Sequence, residues 1–375
     1  MDSPLRGFFF LRWPPSFREA VRLDEKSAIT RQNLRVIAVE ARMRHTQIIS
    51  CLVSLLVVMS ARADALAQQA NSLCTMSVQL PAAAGRGQAP PAGAAGGGGV
   101  RGAAAVPNAA AEPAALPKLV KVKDDVYVIQ NQENIVAQIG AFGGNVTIYL
   151  TDEGVILFDS KNERMHDDIV SKVRSLTDQP IKYVVLTHNH ADHSGGAAKM
   201  QQIGATLIIS EEDRRNMQRG NPPGLPQVTY HERAQIFLGG KEVRLREFCG
   251  HTDGDTVAYL PGPRIVIAGD LVTTPDTIPQ IVNYGDRGNW TDMGKALDEI
   301  AKIDFDFLIA GHGPVLTKQE FLKHRDKVAG IRERLRELNR QGKSQEEITQ
   351  ALLKEFNWGT GPAAGNIPGM MLELR

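Results

Sequence analysis

The chain has 375 residues, long enough for one large domain with additions or for two modest domains. Its hydrophobic fraction of 42% and its charged fraction of 23% are ordinary for a globular protein. The formal net charge is only +1, so the basic excess that marks a nucleic-acid-binding surface is missing. We therefore expect a small-molecule substrate as the partner and no nucleic acid.

The N-terminal region has the pattern of a secretory signal. Residues 43–67 place a short basic front, Arg44 and His45, before an apolar run at 48–59 and small residues in the order Ala-x-Ala. This run is shorter than the ~20 residues that cross a bilayer, so we predict a periplasmic or secreted protein without stable membrane insertion. An uncleaved N-terminal anchor is the alternative. Because a signal peptide normally begins a chain, residues 1–42 are interpreted as a wrongly assigned upstream extension, or else as a genuine long n-region.

An Ala/Gly/Pro-rich stretch follows over residues 68–117, with almost no side chain that could be buried. This composition predicts a flexible, disordered linker. Of the three cysteines, Cys51 lies in the predicted signal, Cys74 in the linker and Cys249 in the folded body. So few cysteines predict no disulfide framework, and Cys249, beside Phe248, is interpreted as buried packing.

Clustered and alternating β-branched residues then predict a folded domain over 118–340, followed by a C-terminal helix and tail over 341–375. Strands and hairpins come first and then alternate with helices, which indicates an α/β fold of layered sheets covered by helices. Residues 211–234 and 359–369 are predicted to be loops. The predicted helices cover residues 162–177, 197–203, 292–303, 318–339 and 345–356. The main strands predicted beyond the first hairpins cover residues 181–186, 205–210, 235–237, 243–248, 257–260, 264–270 and 307–311.

One short segment concentrates metal-ligand chemistry. The sequence HNHADH places His188, His190, Asp192 and His193 directly after the strand 181–186. In an extended turn the first two histidines can point together, while the aspartate and the last histidine point elsewhere, so the segment can serve two metals. Imidazole and carboxylate suit zinc and can also hold iron or manganese. A polar loop with accidental histidines is the alternative.

Three more candidate ligands follow strand-like runs. His251 lies in FCGHTDGDT and His312 in LIAGHGP, each beside a glycine that lets the backbone turn sharply or approach closely. Asp270 ends the apolar run RIVIAGD, so its carboxylate is placed at a strand tip. For Asp270 the alternative is an ordinary strand-end carboxylate that never contacts metal.

Taken in order, Asp159, the HNHADH segment, His251, Asp270 and His312 resemble the metallo-β-lactamase superfamily, over roughly residues 119–316. The resemblance implies a four-layer αββα sandwich with a site between the sheet edges and two zinc ions as cofactor. It implies that Asp270 bridges the two metals and that Asp159 orients a ligand histidine from behind. The first metal would take His188, His190 and His251, and the second would take Asp192, His193 and His312.

The implied chemistry is hydrolysis by a water shared between two divalent metals. Asp192 would be the catalytic residue that accepts a hydrogen bond from this nucleophile and aims it. We expect the substrate to be an ester, thioester, lactone or amide, including a possible β-lactam. The best-known zinc β-lactamases have a cysteine where this chain has Asp270 and a lysine where it has Thr273, which argues against a dedicated penicillinase.

Two other functions remain open on the sequence. One is a mononuclear iron enzyme like the persulfide dioxygenases of the same superfamily, although such enzymes need few of the second-metal ligands. The other is a non-catalytic metal-binding protein, although no ligand of the pattern is missing here. The oligomeric state is not predicted.

Several residues outside the motifs have open interpretations. Four apolar residues after Asp270 would either wall a substrate pocket or close the core: Ile278, Ile281, Tyr284 and Trp290. Three arginines would either bind an acidic substrate group or face water: Arg214, Arg215 and Arg219. Asp255 is a turn or cap candidate. His166 and His324 are expected to be solvated, and His231 is expected on a loop that could border the site.

Overall fold

The computed structural model describes Cys74 and residues 115–133, 135–273 and 279–375. The predicted signal peptide, the predicted upstream extension and most of the predicted linker lie outside the described residues. In the part of the chain that is described, no helix is both long enough and apolar enough to cross a bilayer.

The first sheet has seven strands in sequence order. Strands β1 to β4 pair antiparallel, and β4 to β7 pair parallel because helices connect them. The strands are β1 (Lys118–Lys123), β2 (Val126–Gln130), β3 (Val146–Thr151), β4 (Gly154–Phe158), β5 (Ile181–Val185), β6 (Thr206–Ser210) and β7 (Val228–Tyr230).

The second sheet has six strands in the order β13-β12-β11-β10-β9-β8. Only β11 and β12 pair parallel in it. The strands are β8 (Arg233–Leu238), β9 (Lys241–Phe248), β10 (Asp255–Leu260), β11 (Ile265–Thr273), β12 (Phe307–His312) and β13 (Leu316–Thr317). Every residue of β11 is buried, which is typical of a strand covered on both faces.

The described helices are α1 (Val136–Phe142), α2 (His166–Arg174), α3 (Ala191–Ser194), α4 (Ala197–Gln202), α5 (Glu211–Gly220), α6 (Trp290–Ala301), α7 (Lys318–Arg340), α8 (Gln345–Phe356) and α9 (Pro362–Glu373). Short 3-10 turns lie at Glu163–Met165 and Tyr284–Asp286. Helices α7 and α8 each begin with a complete capping box, Thr317 with Glu320 and Ser344 with Glu347.

Three apolar clusters show how the layers stack. One lies between the sheets and joins residues such as Ile156 and Val185 to Leu245 and Ile267. A second packs the outer face of the first sheet against α2 and α4, and a third packs the outer face of the second sheet against α6 to α9. The order of layers is helix, sheet, sheet, helix, so the predicted αββα sandwich is confirmed.

Two predicted loops contain helices. Helix α5 lies at the start of the predicted loop 211–234, and its buried face includes the polar residues Glu212, Asp213 and Asn216, so no apolar period marks it. Helix α9 replaces the predicted loop 359–369. Its glycines and prolines suggest a loop, but Pro362 occupies the first turn, where its missing N–H costs nothing, and the helix buries its apolar residues in the core.

The sequence predicted no disulfide framework and did not anticipate the single disulfide that the structure contains. Cys74 and Cys249 form a disulfide across a sequence separation of 175 residues. Sequence alone could not pair them, because Cys74 is set in a linker-like composition and gives no sign that it lies beside the end of β9. Cys249 is nevertheless buried, as expected, with 4% of its surface exposed.

Candidate metal centre

The loops at one edge of the sandwich carry the predicted ligands. Parallel strands β4 and β5 end side by side, so Asp159 and the segment 187–193 begin at the same edge of the first sheet. In the second sheet His251 follows β9, Asp270 lies in β11 and His312 ends β12. The structure therefore brings all seven predicted ligands to one place.

Three histidines converge on a first point. The Nδ1 atom of His190 lies 3.1 Å from Nε2 of His188 and 3.0 Å from Nε2 of His251. Nitrogens bound to one tetrahedral zinc at the usual bond length are separated by about 3.3 Å. The spacing and the chemistry of these donors therefore fit a single zinc-sized ion.

Asp192, His193 and His312 converge on a second point. The Nε2 atoms of the two histidines are 3.2 Å apart. Oδ2 of Asp192 lies 3.3 Å from Nε2 of His312 and 3.6 Å from Nε2 of His193. These donors also fit one metal ion, and their ligand atoms lie within 4.8 Å of one another.

The carboxylate of Asp270 lies between the two triads. Its Oδ2 atom is 3.7 Å from Nε2 of His251 in the first triad and 3.3 Å from Nε2 of His312 in the second. Its Oδ1 atom is 3.3 Å from Nε2 of His193. A carboxylate in this position can contact ions at both points.

Asp159 lies behind the second triad, where it was predicted to orient a histidine. Its Oδ2 atom is 2.8 Å from Nδ1 of His193, and its two oxygens accept hydrogen bonds from the backbone N–H and the hydroxyl of Thr187. Asp159 adopts a left-handed backbone conformation, with φ of 67°. These contacts fix the ring so that Nε2 faces the metal point.

Residues 139–312 match the model of the metallo-β-lactamase superfamily. This part of the chain belongs to that superfamily. A metallo-beta-lactamase type 2 of Bacillus cereus is 25% identical over 195 residues, which are 48% of this chain and 72% of that protein. A hydroxyacylglutathione hydrolase of Acidiphilium cryptum is 28% identical over 148 residues, which are 39% of this chain and 56% of that protein.

Among solved structures, the metallo-beta-lactamase from Pontibacter korlensis is similar in fold. The match has a TM-score of 0.50 and 20% identity, and it covers 57% of this chain and 99% of that one. Helices α7, α8 and α9 follow the part of the chain that the superfamily model matches.

Two contacts that orient candidate ligands were not predicted from the sequence. Asp286 contacts Nε2 of His190, and the carbonyl of Ile281 lies 3.0 Å from Nδ1 of His251. The sequence NYGDRG around Asp286 has the composition of a turn, and a backbone carbonyl leaves no signal in the sequence. Only the path of the loop 279–290 makes either contact recognisable.

Burial and charge divide the histidines into two groups. Burial, with the neighbouring imidazoles, lowers the pKa of His188 well below its ordinary value and that of His251 to about 4. Burial also acts against a charge on His312, but the carboxylates of Asp270 and Asp192 outweigh it and raise its pKa to about 9. The pKa of His193 is likewise raised well above its ordinary value by the surrounding carboxylates, despite burial. Binding of a metal at the second triad would therefore release protons.

The absence of a side chain at Gly144 leaves room for the ring of His193. The Cβ of any other residue at position 144 would lie 2.2 Å from Cε1 of His193 and 2.9 Å from the carbonyl oxygen of Gly311. The backbone N–H of Gly144 donates to the carbonyl of Asp192 at 2.9 Å. The glycine pair before β3 is therefore part of the packing around the second triad.

Three of the four apolar residues predicted beyond Asp270 lie among the described residues, and they belong to the core. Tyr284 and Trp290 are buried in the cluster under α6 to α9, and Ile281 packs against it. The core interpretation holds for these three. Ile278 lies outside the described residues.

All three arginines of the predicted rim contact other residues of the protein. Arg214 donates a hydrogen bond to the carbonyl of Pro226, Arg215 forms an ion pair with Glu212, and Arg219 forms one with Asp286. Asp255 is buried and accepts hydrogen bonds from the N–H and hydroxyl of Thr252, which is the predicted turn role.

Two histidines are not solvated as predicted. His166, the first residue of α2, is only 8% exposed. Burial lowers the pKa of the half-buried His324 to about 4, and its Nε2 lies 3.2 Å from Oε1 of Gln280. His231 pairs with Glu247 at 3.0 Å.

Proposed function

We propose that the protein is a binuclear zinc hydrolase that acts on an ester, thioester, lactone or amide, with β-lactams among the possible substrates. The observation that carries the proposal is the position of Asp270 between two separate triads. A mononuclear iron enzyme would not need the complete second triad. The candidate metal centre therefore does not support the persulfide dioxygenase alternative. The relatives named above include a metallo-beta-lactamase and a hydroxyacylglutathione hydrolase, which agrees with hydrolysis.

The residues assigned as ligands would form two metal sites. His188, His190 and His251 would hold the first ion, and Asp192, His193 and His312 the second, with Asp270 shared. When bound, two zinc ions would provide a nucleophile from water at neutral pH and polarise the oxygen of the substrate. Manganese or iron in the same donors would be compatible with the chemistry of the ligands.

Asp192 is assigned the catalytic role. Its side chain is 27% exposed, against 10% for Asp270, so it faces the opening of the site more than the shared carboxylate does. Burial acts to raise its pKa, but His193 and His312 outweigh burial and lower it. The carboxylate is therefore ionised and can accept a hydrogen bond from an attacking water and aim it.

The proposal includes a periplasmic or secreted location. The disulfide between Cys74 and Cys249 supports it, because structural disulfides persist in oxidising compartments and are rare in the bacterial cytosol. Protein recovered from separated cell fractions, with sequencing of its first residues, tests both the location and the cleavage between residues 43 and 68. Protein found only in the cytosolic fraction would contradict it.

The activity is tested by offering zinc-loaded protein a panel of esters, thioesters, lactones and β-lactams. We expect hydrolysis that a chelator abolishes and zinc restores, and that Asp192→Asn loses. Asp167→Asn is the matched control, since Asp167 is an exposed carboxylate on α2. Uptake of oxygen with a persulfide, in place of hydrolysis, would overturn the proposal.

A further inference from the structure

The C-terminal helix α9 contacts the loop that orients His251. Asn366, on this helix, is 8% exposed and lies against Val282. Its Oδ1 atom accepts a hydrogen bond from the backbone N–H of Val282 at 2.7 Å, and its Nδ2 atom donates to the carbonyl of Val282 at 3.1 Å. One side-chain amide thus satisfies both backbone groups of Val282, as a neighbouring strand would.

The N–H of Val282 and the carbonyl of Ile281 belong to the same peptide group. That carbonyl lies 3.0 Å from Nδ1 of His251. The group is planar and trans, so its N–H and C=O point in opposite directions and turn together. Holding the N–H from the side of Asn366 therefore fixes the direction of the oxygen that His251 contacts. An N–H that is itself hydrogen-bonded also makes its carbonyl a better acceptor.

The orientation of Asn366 is fixed in turn. Nε1 of Trp290 donates to Oδ1 of Asn366 at 3.2 Å, so two donors face the same oxygen. Next along the loop, Nε1 of Trp358 donates to the carbonyl of Gln280 at 2.9 Å. The C-terminal segment therefore holds two residues of the loop 280–282, Gln280 and Val282, with side-chain hydrogen bonds.

We propose that Asn366 is a positioning residue for the metal at the first triad: through the Ile281–Val282 peptide it holds the Nδ1–H of His251, so that Nε2 faces the ion. The proposal rests on the assignment of His251 as a metal ligand. If Asn366 serves only to satisfy the backbone of Val282, its loss lowers stability without selectively weakening metal binding. The two roles are separated by metal affinity.

The test compares variants in a His312→Ala background, which removes one histidine of the second triad. Co(II) affinity at the first triad is measured by competition with a chelator, together with the visible spectrum of the bound Co(II). We expect Asn366→Ala to weaken binding by about tenfold or more, the usual effect of losing an orienting contact behind a ligand. His251→Ala, the reference, should lose binding further.

Asn339→Ala is the matched control. Its Nδ2 atom donates to the carbonyl of Met371 at 2.8 Å, so it also ties α7 to the C-terminal helix by a side-chain amide but does not reach the loop of His251. Equal Co(II) affinities of Asn366→Ala and Asn339→Ala would overturn the proposal while leaving His251 as a ligand. Unchanged binding in His251→Ala would overturn the ligand assignment itself.

A measurement on the unmodified protein covers the case in which Asn366→Ala does not fold. The backbone amide of Val282 and the side-chain amide of Asn366 are followed by NMR as zinc is added to metal-free protein. We expect both signals to shift as the first triad fills, while the side-chain amide of Asn339 stays in place. No shift of the Val282 signal would overturn the proposal.

Discussion

The Oδ2 atom of Asp286 lies 3.1 Å from the Nε2 atom of His190. The other nitrogen of that ring, Nδ1, faces His188 and His251. Burial acts to raise the pKa of Asp286, but the contacts with His190 and the charge of Arg219 outweigh it and lower the pKa to about 2. The carboxylate is therefore anionic over the physiological range and can accept a hydrogen bond from Nε2–H of His190, the tautomer that leaves the metal-facing Nδ1 free of a proton. The side-chain amide of Asn283 also contacts this Nε2, at 2.7 Å.

Replacing Asp286 by alanine is expected to weaken metal binding at the first triad by about 10- to 100-fold, because His190 loses its orienting acceptor. Chelator competition on metal-free protein measures the change. Arg219→Ala is the control, since Arg219 contacts the other oxygen of Asp286 at 2.6 Å from a half-exposed position. If Asp286→Ala binds metal as tightly as Arg219→Ala, His190 does not depend on this contact.

A methyl group at position 144 is expected to disturb the second triad selectively. In Gly144→Ala the new Cβ would collide with His193, so we expect less than full metal content and strongly reduced hydrolysis from a protein that still folds. Gly140→Ala is the matched control, because a Cβ there meets nothing within 4 Å. Full metal content in Gly144→Ala would show that His193 can move without losing its role.

The ligand segment was readable from sequence because its residues are nearly contiguous, and a strand that ends in HNHADH leaves few alternatives. The contacts that orient those ligands could not be predicted from the sequence. Asp286 reaches His190 across 96 residues of sequence, and Asn366 reaches Val282 across 84. Such contacts depend on how loops and the C-terminal helix cross the sheet edge, which local residue patterns do not encode.

Loss of the Cys74–Cys249 disulfide is expected to lower the free energy of unfolding by about 2–5 kcal/mol, because the bond restricts the unfolded chain. Denaturant unfolding of Cys74→Ser beside the unmodified protein measures this. A reductant should destabilise the unmodified protein and leave the variant unchanged. Equal stability of the two proteins under oxidising conditions would contradict the expectation.

Stability should also depend on pH through Lys161. Burial lowers the pKa of this lysine from 10.5 to about 7, and its ammonium group lies against the carbonyl of Gly144 and the amide oxygen of Asn131. As the pH falls from about 10 to 7, the unfolded chain takes up this proton first, so the folded state loses stability over that window. Below about 7 both states are protonated and the dependence on this residue ends.

Denaturant unfolding of metal-free protein across this pH range tests the lysine, with Lys161→Met as the variant and Lys182→Met as the control on an exposed side chain. We expect Lys161→Met to lose this contribution and to keep the opposite one of His193 and His312, whose raised pKa values favour the folded state as the pH falls. Lys182→Met should leave the dependence unchanged. A pH dependence that is the same in Lys161→Met as in the unmodified protein would contradict the role of Lys161.

Two helices show which parts of the fold could be predicted from the sequence and which could not. Helix α7 was located within one residue because its apolar residues recur at helical spacing and its capping box marks the start. Helix α9 was missed because Pro368 and five other glycine or proline residues at 359–369 outweigh its pattern locally. Burial of Ile367 and Met370 against the second sheet stabilises this helix, and the local sequence pattern does not reveal that burial.

We propose that two zinc ions share Asp270. Elemental mass spectrometry of the purified protein beside Asp270→Ala tests it most directly, with Asp304→Ala as a control on an exposed carboxylate. We expect about two zinc ions per chain in the unmodified protein and in the control, and fewer in Asp270→Ala. A single iron ion per chain, or zinc content that does not change when Asp270 is lost, would contradict it.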